Sequence, residues 1–165
     1  MDLFLVMASQ LLGMAPGESD FEFHVIGDGP LRDRLEAESN ALTIDERVTF
    51  HGHCKNAASY ITSLDVLVMC SDHEGSPMTL LESMALGTPV VAHHCGSMKS
   101  VYAQEIGGVL SETHSACSYA QATLKVLKGS SFRELLIDRA SCWFDSNGNA
   151  KKNAEQFLEL YKGLM

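Results

Sequence analysis

Short apolar runs alternate with amphipathic segments along the chain, as strands and helices alternate in parallel α/β folds. The apolar runs predict strands at 21–26, 48–50, 65–69, 90–92 and 109–110. Helical spacing of apolar residues predicts helices at 3–12, 31–38, 57–62, 77–86, 97–105, 116–127, 132–144 and 150–164. This order predicts an α/β fold, a Rossmann-like doubly wound parallel sheet with helices on both faces.

Composition narrows the class of protein. The 165 residues, 45% of them hydrophobic, fit one globular domain with a sizeable core. A formal net charge of −9 argues against nucleic acid as a partner. The sequence has no twenty-residue apolar run, which predicts no transmembrane segment. Five scattered cysteines, an odd number without Cys-x-x-Cys spacing, indicate reduced thiols and a cytoplasmic protein.

Two histidine clusters raise the question of a metal. His51 and His53 lie near Cys54, and His93 and His94 precede Cys95 in the second cluster. Neither cluster has a usual zinc spacing, so we expect no metal site. Polar residues at the carboxyl ends of strands, lining a nucleotide cleft, are the simpler interpretation.

The segment 71–92 carries the strongest signal for a binding site. Glu74 follows an apolar strand, Gly75 allows the chain to turn, and Pro77 suits a first helical turn. Glu82 lies eight positions after Glu74, inside the predicted helix. A strand, a glycine-containing loop and a helix N-terminus together favour phosphate binding, because unpaired N–H groups and the helix dipole face the loop. Carboxylates on either side suit the hydroxyl groups of a sugar and a ribose.

This segment resembles the E-x7-E signature of retaining glycosyltransferases of the GT-B fold, most closely those of family 4. Further stretches are similar to the family's strands, namely 23–31 with Gly27-Asp28-Gly29-Pro30, 47–52, 64–68 and 107–110. The resemblance implies the C-terminal, nucleotide-sugar-binding half of such an enzyme. The implied reaction transfers a sugar from a nucleotide diphosphate sugar to an acceptor with retention of configuration.

The resemblance also implies roles for individual residues. Glu74 corresponds to the catalytic glutamate that orients the transferring sugar. The implied donor-binding residues are Gly27, Gly29, His53, Cys54, Gly75, Ser76, Pro77, Met78, Thr79, Leu80 and Glu82. We expect no cofactor and no obligate metal.

Compared with the family, the chain opens inside the first helix of this half. We therefore expect a domain over residues 1–165 that lacks its first strand, the arginine and lysine that bind the donor diphosphate, and the acceptor-binding N-terminal domain. We expect such a chain alone to be inactive, and the full enzyme could associate peripherally with a membrane. Two alternatives stay open: a non-catalytic nucleotide-binding or interaction fragment, and half of a nucleotide-sugar 2-epimerase.

Overall fold

The structure, a computed structural model, describes residues 2–17, 21–75, 78–95, 106–148 and 150–163. Strands and helices alternate along these segments. The strands are β1 (Phe23–Ile26), β2 (Val48–Gly52), β3 (Leu67–Val68), β4 (Val90–Ala92) and β5 (Gly108–Leu110). The helices are α1 (Asp2–Met14), α2 (Arg32–Ala41), α3 (Ala57–Ser63), α4 (Met78–Leu86), α5 (Ala116–Lys128), α6 (Ser130–Trp143) and α7 (Ala150–Gly163).

All the strand ladders in the described segments are parallel. β1 pairs with β2, and β3, β4 and β5 form a three-stranded sheet with β4 in the middle. Backbone hydrogen bonds extend the second sheet beyond its strands, from Met69 N–H to Val91 O at 2.8 Å and from Ser111 N–H to Ala92 O at 2.7 Å. The α/β class and the parallel pairing predicted from the sequence are confirmed.

Helices cover both faces of the sheet, as the side chains of β4 show. All three residues of β4 are fully buried. Val91 faces a core shared with α1, α5 and β1, whereas Val90 and Ala92 face a second core built by α4 and α6. Successive strand residues point to opposite faces, so a strand apolar at every position requires helices on each side.

One glycine lets α4 and α6 approach the sheet at the start of β5. Gly107 has a φ of +75°, which side-chain-bearing residues adopt at a cost. A Cβ there would lie 3.1 Å from both the Cβ of Ala140 and the Cγ of Met84. The close contact of α4 with α6 therefore depends on glycine at this position.

The edges of β1 and β3 face each other across a gap. A cavity of about 290 Å³ is lined by the amino-terminal parts of both strands, including Phe23 and Val66. A second cavity of about 540 Å³ is lined by their carboxyl-terminal parts, including Ile26 and Met69. The strands therefore run in the same direction without pairing to each other, since no ladder joins the two sheets in the described residues.

Two of the predicted strands are shorter than expected. β1 begins at Phe23 rather than at residue 21, and β3 spans Leu67–Val68 rather than residues 65–69. Each has one strand neighbour, which limits the length of its ladder. The helix predicted at 97–105 lies outside the described residues.

We expect amide hydrogen exchange to reflect this difference between central and edge strands. Amides of Val90–Ala92 should exchange at least ~10-fold more slowly than those of Val25 and Val68, because β4 is paired on both sides and fully buried. Exchange measured by NMR, normalised to intrinsic rates, checks this. Equal protection in all three strands would mean that the open edges of β1 and β3 are covered in solution.

Candidate functional site

The packing of α4 determines which of its side chains can reach a ligand. Leu80, Ser83 and Met84 are buried at helical spacing against the sheet. Thr79 and Glu82, three residues apart, are exposed. Residues at this spacing share one side of a helix, so burial of the apolar side directs the hydroxyl and the carboxylate away from the core.

Glu74, Thr79 and Glu82 line the same cavity of about 540 Å³. Its other walls come from β1, β3 and α3, including Val25, Met69 and Ile61. The volume lies within the ~300–1,000 Å³ typical of small-molecule sites. The structure thus brings both glutamates of the sequence motif to one apolar-walled space at the carboxyl end of β3.

The loop between β3 and α4 is held against the end of β4 by Cys95. The thiol of this buried residue donates to the carbonyl oxygen of Ser71 at 3.5 Å. Burial raises the pKa of Cys95, and the negative charges of Glu74 and Asp72 raise it further. The thiol therefore stays neutral and can act as a hydrogen-bond donor to the loop that carries Glu74.

Four of the predicted donor-binding residues lie at the carboxyl ends of β1 and β2 and do not line this cavity. Gly27 donates from its N–H to the carbonyl oxygen of Gly52 at 2.9 Å and has a φ of +130°. Gly29 and His53 are exposed, and the Cys54 thiol, half-buried, donates to Gly52 O at 3.6 Å. They form a neighbouring polar rim.

The remaining predicted residues surround the start of α4. Gly75 and Met78 are exposed, whereas Ser76 and Pro77 lie outside the described residues. Leu80 corrects the prediction, because its side chain is fully buried in the core with Met84 and Val90. Its position in the buried stripe of α4 makes it a packing residue.

The histidines of β1 and β2 contact each other. His24 Nδ1 lies 2.9 Å from His51 Nε2, and the His51 ring packs at 4.7 Å from the ring of Tyr60. His53 is exposed in the turn that follows β2. In the part of the chain that the structure describes, no three His, Cys, Asp or Glu side chains are arranged to hold a metal ion.

A second set of polar residues lies beside the Glu74 loop, and of these only His93 was named from the sequence. Asp72, His93 and His114 follow the carboxyl ends of β3, β4 and β5, and His114 contacts both Asp72 and Tyr119 of α5. Asp72 and His114 lie three and four positions after predicted strands. That was the available signal, because parallel strands bring the residues that follow them to one edge of the sheet. Tyr119 gave no such signal, since it lies within a helix.

The family follows from comparison with known proteins. Residues 1–129 match the family described as glycosyl transferases group 1, and the chain belongs to this family. A relative, the 2-deoxystreptamine glucosyltransferase of Streptomyces kanamyceticus, is 32% identical over 116 residues. The match covers 69% of the chain and 30% of that enzyme. The chain spans less than half of the length of the curated relatives that it matches.

Solved structures show the same fold. HepE of Anabaena in complex with UDP superposes with a TM-score of 0.83 at 16% identity, covering 96% of the chain and 44% of HepE. The C-terminal domain of a glycosyl transferase group 1 protein, LpcC of Francisella tularensis, gives a TM-score of 0.79 at 22% identity. That match covers 90% of the chain and 79% of the LpcC domain. The fold is that of GT-B glycosyltransferases.

Among the described residues, no helix is both long enough and apolar enough to span a bilayer.

The cavity gives a testable order of thiol reactivity. Burial raises the pKa of Cys70, which lines the cavity, to about 11. At pH 8 only about one Cys70 thiol in a thousand is then ionised, and the thiolate is the reactive form. We expect iodoacetamide to modify the exposed Cys117 well before Cys70. Peptide mapping by mass spectrometry over a time course measures both, and comparable rates would contradict the desolvated position of Cys70.

Proposed function

We propose that this chain is the nucleotide-sugar-binding part of a retaining, family 4-type glycosyltransferase, corresponding to the C-terminal half of the GT-B architecture. In this proposal Glu74 contacts the transferring sugar and Glu82 accepts hydrogen bonds from the ribose. The observation that carries it is the common cavity of Glu74, Thr79 and Glu82. The glycosyltransferase family of the chain and the UDP in the HepE structure support a nucleotide ligand.

The chemistry of the cavity suits the two ends of a nucleotide sugar. Carboxylates accept from vicinal hydroxyl groups, and hydrogen bonds to charged groups are stronger than neutral ones. The side chains of Val25, Ile61 and Met69 line the same cavity and offer apolar surface against which the sugar and ribose rings can pack. A sugar bound by Glu74 and a ribose bound by Glu82 place the diphosphate between them, beside the amino-terminal end of α4.

The negative charge of the diphosphate must also be compensated by groups in the site. None of the described residues that line the cavity is a lysine or an arginine. In the proposed complex the backbone N–H groups at the start of α4 therefore provide the positive end of a dipole to the phosphates. Departure of the diphosphate is then stabilised electrostatically, without a step that requires a metal.

Replacement of Glu82 tests the ribose role. Glu82→Gln keeps the shape of the side chain and one acceptor oxygen but removes the charge. Nucleoside diphosphate binding should therefore weaken by about 1–1.5 kcal/mol, or roughly 10-fold, the difference between a charged and a neutral hydrogen bond. Calorimetry with UDP and with GDP measures this. The exposed Glu134 of α6 provides a matched control, Glu134→Gln, that should leave affinity unchanged. Equal affinity of the wild type and Glu82→Gln for these nucleotides would show that Glu82 does not bind the ribose.

Replacement of Glu74 separates the sugar end from the nucleotide end. Glu74→Gln should weaken the binding of a nucleotide sugar by about 10-fold while changing UDP affinity little, because its proposed partner is the sugar. Glu82→Gln should weaken the binding of UDP and the binding of the sugar nucleotides by the same factor. Competition calorimetry with UDP, UDP-glucose, UDP-N-acetylglucosamine and GDP-mannose gives the comparison. If Glu74→Gln lowers the affinity for UDP as much as for every sugar nucleotide, Glu74 does not contact the sugar.

A further inference from the structure

A chain of hydrogen bonds joins the Glu74 loop to α5. His114 Nε2 lies 2.9 Å from Oδ1 of Asp72, two residues before Glu74. His114 Nδ1 lies 3.3 Å from the hydroxyl of Tyr119, and that hydroxyl lies 3.2 Å from the carbonyl oxygen of Met69 at the end of β3. The loop is thus contacted at its start and in its middle by one histidine–tyrosine pair.

Counting protons defines the state in which all three hydrogen bonds form. The carbonyl of Met69 and the carboxylate of Asp72 can only accept, and the hydroxyl of Tyr119 has one proton to donate. If Tyr119 donates to Met69, His114 Nδ1 must donate to the Tyr119 oxygen, and Nε2 must donate to Asp72. A histidine that donates from both ring nitrogens is an imidazolium. Neutral His114 satisfies at most two of the three bonds.

Other titratable side chains lie next to His114. The ring of His93 lies 4.8 Å away, and burial lowers the pKa of His93, as do the nearby His114 and His94. Burial raises the pKa of Tyr119 most strongly, and nearby Cys70, Cys95 and Asp72 raise it further, whereas a hydrogen bond with Ser111 lowers it. The net shift of this pKa is upward, so the hydroxyl keeps its proton. Asp72 supplies the negative charge that faces His114 from the β3 loop.

We propose that His114 is a positioning residue for the donor site: its imidazolium ties Asp72 to Tyr119 and holds the loop that carries Glu74. The inference rests on the proposed function, and it adds a pH dependence to that site. The sequence motif from Glu74 to Glu82 does not predict this pH dependence, because His114 lies outside the motif, 40 positions after Glu74.

The direction of the pH dependence follows from the protonation state of His114 that completes the three hydrogen bonds. Histidine is the side chain that ordinarily changes charge between pH 5 and 8. When both ring nitrogens of His114 carry a proton, the three bonds are complete and the loop is held. As pH rises and His114 loses a proton, either the contact with Asp72 or the one with Met69 is lost, and donor affinity falls. The side chain of Asp72 is 82% exposed, so water weakens the pair, and we expect a change of about threefold.

The first test uses the ligand-free protein. NMR spectra of the histidine ring nitrogens follow the protonation of His114, and amide resonances follow residues 71–75. We expect these amides to titrate with the same midpoint as the His114 ring. The titration of the amides should disappear in His114→Gln and weaken in Asp72→Asn and Tyr119→Phe, the last of which keeps the buried ring. The proposal would be overturned if the amide resonances of residues 71–75 did not shift with the protonation of His114, or if they shifted equally in His114→Gln.

The second test measures UDP affinity by calorimetry from pH 6 to pH 8. The wild type should lose about threefold more affinity over this range than His114→Gln, a comparison that cancels the titration of UDP itself. Glu134→Gln, at an exposed residue of α6 outside the hydrogen-bond chain, serves as control and should follow the wild type. Identical pH profiles for the wild type and His114→Gln would contradict the positioning role.

The two tests distinguish the two proposals. If UDP and GDP fail to bind the wild type while the loop amides titrate with His114, the proposed function fails and the coupling of His114 to the loop stands. If UDP binds and Glu82→Gln weakens that binding, but the amide resonances of residues 71–75 do not follow the protonation of His114, only the positioning role fails.

Discussion

The double burial of β4 is the constraint on which the rest of the structure depends. Its three residues are paired with a strand on each side and covered by helices on both faces. Each fully buried valine stabilises the fold by about 1.5–3 kcal/mol relative to exposure, provided that both layers of helices are in place. The strand therefore couples the α1–α5 layer to the α4–α6 layer.

The candidate site is a consequence of this coupling. Leu80 and Met84 bury one stripe of α4 against Val90 and Ala92, which leaves Thr79 and Glu82 on the side that faces the cavity. The parallel direction of β3, β4 and β5 places the loops that follow them at a common edge. The carboxylate of Glu82 is thus oriented by apolar contacts on the other side of the same helix.

The gap between β1 and β3 is at once an open edge of each sheet and the cavity of the candidate site. Apolar residues of both strands line it, together with Glu74 and Glu82. Because open strand edges carry unpaired backbone groups, this space is more polar than its side chains suggest. Relatives of the family are longer than this chain, which spans less than half of them.

The sequence by itself determined the order and type of the elements and the motif that carries Glu74 and Glu82. Helix and strand periodicity depend on residues a few positions apart, and most predicted helices match the structure within a few residues. Tertiary structure decided the rest. The short extent of β3, the burial of Leu80 and the contact of Tyr119 with Met69, 50 positions away, depend on how the layers pack. Local periodicity does not contain that information, because it records which face of an element is apolar and not which distant side chain meets it.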